Sequence, residues 1–283
     1  MSNYTPTLIG KQHDQEGGLA QKTPSRFYTK LFNLQGKVAV VIGGTGVLCG
    51  EMAWGLLQAG CRVVLVGRNK KKADRHFQQW KSSPDKARFL KADVTQRDQV
   101  NQIIPKVIEW VGRIDIWING AAIAPPGPYL EITDDQFDTI VDVDLKAVHM
   151  GCQAIGKHWI DRKEKGCIIN MSSMAALRPL SRTFVYSLAK AGVLNLTQNL
   201  AREWAEHGIR VNALCPGFFP AEQNRKILNK ERIAAIMRQT PMARFGEPSE
   251  LIGATILLAS AEAGSFITGT NLVVDGGFSV TAI

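Results

Sequence analysis

The 283-residue chain has no run of about 18 consecutive apolar residues, so the sequence predicts no membrane-spanning helix. Its five cysteines (Cys49, Cys61, Cys152, Cys167 and Cys215) are odd in number, widely spaced and free of any C-x-x-C pair. That argues against a disulfide framework or a zinc site, and for a reducing, cytoplasmic setting with no bound metal. The first 33 residues lack the apolar core, roughly 7–15 residues long, of a secretory signal. Aromatics are 7% of the chain and are not interleaved with a basic stripe, so nucleic acid is not an expected partner. No repeat or low-complexity tract is found, and a composition that is 45% hydrophobic and 21% charged excludes collagenous and wholly disordered chains.

What is present begins with charge. Lys and Arg number 34 against 25 Asp and Glu, a net charge of +9, spread thinly except at Arg68, Lys70, Lys71, Lys72 and Arg75. A solvated helix face accounts for most of this excess, and an anion site near Arg68 for the local cluster. Residues 1–33 are polar, carry Pro6, Gly10, Gly17, Gly18 and Pro24, and show no period. They read as a flexible arm or a subunit-wrapping segment. Residues 34–283 read as a single domain. Short apolar runs at Val38–Ile42, Arg62–Val66, Ala87–Leu90, Ile114–Ile118, Cys167–Met171, Ile209–Leu214 and Asn271–Val274 predict seven strands buried on both faces. Helix-period stripes lie between them: Val100–Val111; Phe137–Ile155, opened by Thr133 and Gln136 at capping-box spacing; Val193–Trp204; and Leu251–Leu258, with Pro248 suited to its first turn. The alternation predicts an α/β, doubly wound Rossmann-type domain, its seven-stranded parallel sheet covered by helices on both faces.

The first strand runs into Gly43-Gly44-Thr45-Gly46-Val47-Leu48-Cys49-Gly50 and then a helical stretch, Glu51–Gln58. Glycines there let backbone approach a pyrophosphate, whose charge is favoured at the N-terminus of a helix. Such a turn alone could be only a tight reversal, but its place between buried strand and helix strengthens the reading. The second strand ends Val66-Gly67-Arg68-Asn69-Lys70, with no carboxylate before Asp74. An acid there would bond a ribose 2′-hydroxyl, whereas a cation would meet a 2′-phosphate, so NADP(H) is expected over NAD(H). The other reading is that Arg68 simply solvates the strand end.

Tyr186 and Lys190 are four residues apart, and Ser173 stands thirteen before Tyr186 at the end of a buried strand. A phenol is a poor acid or base at neutral pH, and a nearby ammonium favours its ionised form. With a serine hydroxyl on the substrate oxygen, such a trio suits hydride transfer at an alcohol or ketone carbon, the hydride carried by a nicotinamide. Over residues 31–283 the chain resembles the short-chain dehydrogenase/reductase family. The likeness rests on the glycine turn, Asp93-Val94, Asn119-Gly120-Ala121-Ala122, Ser172-Ser173, Tyr186-Ser187-Leu188-Ala189-Lys190, Pro216-Gly217, Gly269 and Asp275-Gly276-Gly277.

The resemblance implies that Ser173, Tyr186, Lys190 and Asp144 are catalytic. It assigns Gly43, Gly46, Val47, Leu48, Arg68, Asn69, Asp93, Val94, Asn119, Ala121, Pro216 and Gly217 to the cofactor, together with Tyr186 and Lys190, and implies a homotetramer. Three departures stand out. Val47 and Cys49 occupy usual glycine positions, with Gly44, Gly46 and Gly50 able to restore backbone access. Asp144 stands where the family has an asparagine in the proton relay; it can keep the helix kink but adds a charge or a proton there. Ala221 replaces the usual threonine after the Pro-Gly turn.

Pro216-Gly217-Phe218-Phe219, Glu222–Arg225 and Thr240–Pro248 are similar to the branch containing D-mannonate oxidoreductase (fructuronate reductase) and gluconate 5-dehydrogenase. Arg178, Arg182 and Arg225 flank the expected cleft, and a guanidinium can clamp a sugar-acid carboxylate. Each could instead pair with a loop or subunit carboxylate. Two other readings remain open: a 3-oxoacyl carrier-protein reductase, for which the positive charge would suit an acidic carrier, and a weakly active nucleotide-binding relative.

Overall fold

The apolar run Val38–Ile42 forms strand β1 with every residue buried. Ala39 and Val41 enter one packed cluster and Val38, Val40 and Ile42 another on the opposite side, as a period of two requires. Burial on both faces is why the run carries no polar residue. Strand β2 (Arg62–Gly67) alternates likewise, Val63 and Leu65 opposing Val64 and Val66, with Arg62 exposed at its start. The sheet is completed by β3 (Ala87–Lys91), β4 (Ile116–Asn119), β5 (Gly166–Met171), β6 (Ile209–Pro216) and β7 (Asn271–Val274). All pairings are parallel, in the order β3-β2-β1-β4-β5-β6-β7. Each expected strand forms, with ends shifted by at most two residues.

The computed structural model describes residues 26–219 and 230–280. Its helices are α1 (Arg26–Leu31), α2 (Val47–Gln58), α3 (Lys70–Trp80), α4 (Arg97–Asn101), α5 (Ile103–Val111), α6 (Asp134–Val141), α7 (Ala147–Asp161), α8 (Phe184–Trp204), α9 (Lys230–Gln239) and α10 (Leu251–Ala259). Met52, Ala53 and Leu56 of α2 pack on one face of the sheet with Leu251 and Leu258 of α10. Ile103 and Val107 of α5, Ile155 and Trp159 of α7, and Val193 of α8 cover the other.

Four details differ from the sequence reading. The apolar stripe Val100–Val111 is two helices, because Pro105 lacks an N–H and its ring crowds the carbonyl one turn earlier. Helix α2 begins at Val47 rather than Glu51, directly after the glycine turn. Most of the expected arm lies outside the described residues, but its end is helix α1, where the Ser260 hydroxyl donates to the Leu31 carbonyl at 2.7 Å. Between α6 and α7, residues Asp142–Lys146 form a π turn. The expected capping box does form: the Thr133 hydroxyl accepts from the Gln136 N–H, and the Gln136 side chain accepts from the Thr133 N–H, both at 3.2 Å.

The order of strands reverses between β1 and β4. A crevice opens there beyond their carboxyl ends, where ligands bind in doubly wound sheets.

Candidate active site

The turn after β1 is shaped by close approach. Gly43 has φ +74°, and a Cβ there would lie 2.7 Å from the backbone of Gly120 and Ala121. Glycine alone lets the turn sit against the segment leaving β4. Gly46 caps α2 with no side-chain hydrogen bond, so the first amides of the helix, at Val47, Leu48 and Cys49, have no side-chain partner. Free N–H groups at the positive end of a twelve-residue helix suit an anion, and this cradle fits a dinucleotide pyrophosphate.

The glycine departures resolve differently. Val47 stands at the mouth, 43% exposed. Cys49 turns inward, its thiol facing the Gly120 carbonyl at 3.7 Å. Burial pushes that thiol up to about 12 against the pull of Lys190, so it stays neutral. Gly50 does not serve ligand access: a Cβ there would lie 2.6 Å from the ring of His76, which stacks on Trp80 at 5.2 Å.

At the end of β2, Arg68 is exposed and makes no hydrogen bond among the described residues. Burial tends to raise the Asp93 carboxyl, but hydrogen bonds from the Thr95 amide and hydroxyl, with the charge of Arg68, hold it below the usual carboxylate range. Arg68 and Asp93 are therefore brought together, and Val94, next in the chain, packs against the core cluster. The Asn69 side chain is committed to capping α3, accepting from the Lys72 amide at 3.1 Å. Thr45 was not singled out from the sequence. Its hydroxyl would lie 3.0 Å from a Cβ at Gly67, so it faces the strand end that carries Arg68. A hydroxyl within a glycine turn upstream of a basic strand end is the signal that could have found it.

Helix α8 presents Tyr186 and Lys190 one turn apart, and the Ser172 hydroxyl fastens it to β5 by donating to the Lys190 carbonyl at 2.9 Å. The buried Lys190 ammonium donates to the Met171 carbonyl at 3.1 Å and lies 5.5 Å from the centre of the Tyr186 ring. It also lies 3.2 Å from Oδ1 of Asp144, which is fully buried in the π turn. Oδ2 of Asp144 accepts from the Ile123 amide at 3.0 Å, while Oδ1 has no partner aligned as a hydrogen bond. Burial pushes the Asp144 carboxyl up, and Lys190 and the Ile123 amide oppose it. The Ser173 hydroxyl oxygen accepts from the Ala175 amide at 3.1 Å, leaving its own proton free to be donated. Ser173, Tyr186 and Lys190 line one cleft of about 280 Å³ with Gly43, Gly46, Val47, Leu48, Pro216 and Gly217. Gly120, Ala122, Phe218 and Phe219, not singled out as site residues, also line it, as do Cys49, Met171 and Ser172.

Other candidates lie elsewhere. Asn119 is 2% exposed and points into the core, accepting from the Trp117 indole at 2.8 Å and donating to Asn170 at 2.9 Å. Ala121 packs against the core cluster beneath the sheet. Arg178, expected to flank the cleft, instead donates to the Ser279 carbonyl at 2.6 Å and does not line it. The short 3₁₀ turn Met174–Ala176 lies between it and Ser173. Arg182 has φ +67°, held where its carbonyl accepts from the Gly127 amide at 3.0 Å. It lines a second cavity of about 250 Å³ with Glu131, Gln136 and Tyr186, so Tyr186 borders both spaces. Its guanidinium has no hydrogen-bond or ion-pair partner among the described residues. Arg225 and Ala221 lie outside the described residues. Among the described residues no cluster of His, Cys, Asp or Glu could hold a metal ion, and no helix is long and apolar enough to cross a membrane.

Residues 48–279 match a family model described as Enoyl-(Acyl carrier protein) reductase. The chain is 34% identical to the 2-dehydro-3-deoxy-D-gluconate 5-dehydrogenase of Escherichia coli, covering 87% of this chain and 97% of that protein. It is 31% identical to the 3-oxoacyl-[acyl-carrier-protein] reductase FabG of Thermotoga maritima, covering 87% of this chain and 99% of that protein. The crystal structure of a gluconate 5-dehydrogenase from Burkholderia cenocepacia in complex with NADP and tartrate superposes with a TM-score of 0.84 at 32% identity, covering 90% of this chain and 100% of that one. With a phosphate-binding turn and a serine, a tyrosine and a lysine facing one cleft, the chain belongs to the short-chain dehydrogenase/reductase family and is an NAD(P)-dependent oxidoreductase of CH–OH groups.

Proposed function

We propose that the chain interconverts a secondary alcohol and a ketone on a sugar acid of the D-mannonate/D-fructuronate or gluconate type, with NADP(H) preferred over NAD(H). The observation that carries the substrate reading is the unpartnered Arg182 guanidinium, in a cavity that shares Tyr186 with the cleft. The amides of Val47, Leu48 and Cys49 would hold the pyrophosphate, Arg68 and Thr45 a 2′-phosphate, and Pro216 and Gly217 the nicotinamide end. The bound dinucleotide supplies the hydride acceptor or donor. Ser173, its oxygen already accepting from Ala175, donates its proton to the substrate oxygen. Tyr186 takes or gives the proton of that oxygen, with the Lys190 ammonium 5.5 Å from the centre of its ring. Arg182 binds the carboxylate through charge-assisted bonds.

A six-carbon keto sugar acid should then be turned over better than its neutral keto-sugar analogue, by roughly 10–150-fold in kcat/KM. Equal rates on the two, or a better rate on an acetoacetyl thioester, would refute this reading and favour the carrier-protein alternative, which the FabG relative and the net charge of +9 support. The reading extends to a homotetramer, for which exposed Phe137, Phe184 and Leu188 on α6 and α8 offer apolar surface to a second copy. Light scattering at micromolar concentration tests it.

A further inference from the structure

The fully buried Asp144 is not used by the roles just assigned. Its Oδ2 has an amide partner, but its Oδ1, without a hydrogen-bond partner among the described residues, lies 3.2 Å from the Lys190 ammonium. Lys190 thus has three neighbours competing for one charge: the Met171 carbonyl, the Asp144 carboxylate and the Tyr186 ring. We infer that Asp144 is a positioning residue that acts through Lys190, offsetting the ammonium's field at Tyr186 and moving the working range of alcohol oxidation to higher pH. The inference rests on the reading of Tyr186 as the proton carrier.

Oxidation needs an ionised phenol to accept the alcohol proton, and a lone ammonium beside the ring would favour that form. An ionised carboxylate on the other side of the same ammonium adds a negative charge near the phenolate and disfavours it. The dry surroundings keep the effect from being screened away, since both side chains of the pair are within 1% of complete burial.

Among the described residues, no other group turned toward Lys190 supplies this charge. The thiols of Cys49 on α2 and Cys215 at the end of β6 are pushed up by burial, to about 12 and about 11, and are neutral. Asp275, at the end of β7 behind Cys215, spends its carboxylate on the amides of Gly277 and Ser279. On the π turn itself, Asp142 and Lys146 pair with each other at 2.9 Å near the surface.

The test compares the wild type with Asp144→Asn, which is nearly isosteric and can still accept from the Ile123 amide. Two readouts are followed: the pH profile of kcat/KM for alcohol oxidation, and the ultraviolet phenolate titration with Tyr186→Phe subtracted as reference. Loss of the carboxylate should move the acid limb and the phenolate signal together to lower pH, by on the order of one unit. On the acid limb that is about a tenfold gain in rate. Asp144→Ser, which removes the charge with a smaller side chain, should move both readouts the same way and covers a misfolded asparagine variant. An acid limb that stays or moves up, or a folded but inactive Asn variant, overturns the inference. Tyr186→Phe retaining more than half the activity would instead overturn the proton-carrier reading beneath it.

Discussion

Arg68→Ala should separate the two nicotinamide cofactors. Arg68 directly follows β2 with an exposed guanidinium, and the Thr45 hydroxyl faces the neighbouring Gly67. A charge-assisted hydrogen bond is worth about 1.5–3 kcal/mol. Water around this strand end screens the contact, which brings the expected loss to about 1–1.5 kcal/mol. That corresponds to roughly 5–15-fold weaker NADPH binding, with NADH nearly unchanged because it has no 2′-phosphate. Asp93 adds to the loss, since Arg68 helps to hold its carboxyl below the usual range and its negative charge would then face the phosphate uncompensated. The assay is the dissociation constant of each reduced cofactor by fluorescence, at low and high salt. The wild-type preference should shrink with salt, and also below about pH 6, where a phosphate monoester loses its second charge. Equal weakening of both cofactors, or a wild type that prefers NADH, would refute the assignment.

Tyr186→Phe should lower kcat on the order of 10²–10⁴-fold while leaving cofactor affinity and the thermal midpoint nearly unchanged, as steady-state kinetics and a melt would show. Arg182→Ala should remove most of the preference for a sugar acid while changing the rate on the neutral analogue little; a parallel fall on both substrates would count against a carboxylate contact. Glu250 is held down to about 2 by the Arg244 side chain and the Glu247 amide. A folded-state value below the unfolded one adds stability above about pH 4.5 that is lost as pH falls toward 2. Both partners are at least 40% exposed, so Glu250→Gln should cost no more than about 1 kcal/mol at pH 7 and flatten that stretch of the acid denaturation curve.

The strands were legible because a sheet buried on both faces demands continuous branched apolar runs, and Val38–Ile42 is such a run, bounded by the glycine turn. The capping box at Thr133 and Gln136 was legible for an equally local reason, since its bonds join residues three apart. The split of the helix at Pro105 was also written locally, though its apolar stripe concealed it. Arg178 shows the limit of reading by proximity in sequence. It follows Ser173 by five residues, yet its partner is Ser279, a hundred residues on. Asn119 matched a cofactor-side motif, but its side chain was free to point either way, and the indole of Trp117 and the amide of Asn170 hold it in the core.

Residue type and spacing by themselves determined the alternation of strand and helix, the glycine turn at the first strand's end, and the placing of Tyr186 and Lys190 on one helical face. These depend on the period of a strand, the period of a helix and the steric freedom of glycine, all properties of a few consecutive residues. Tertiary structure decided which groups share a charge or a cavity. Asp144 meets Lys190 only because the π turn and α8 pack together, and Tyr186 borders both the cleft and the Arg182 cavity only because the loops after β4 and β5 converge. Such contacts join residues tens of positions apart, so they arise from the way the chain crosses the sheet and leave no period in the sequence to read.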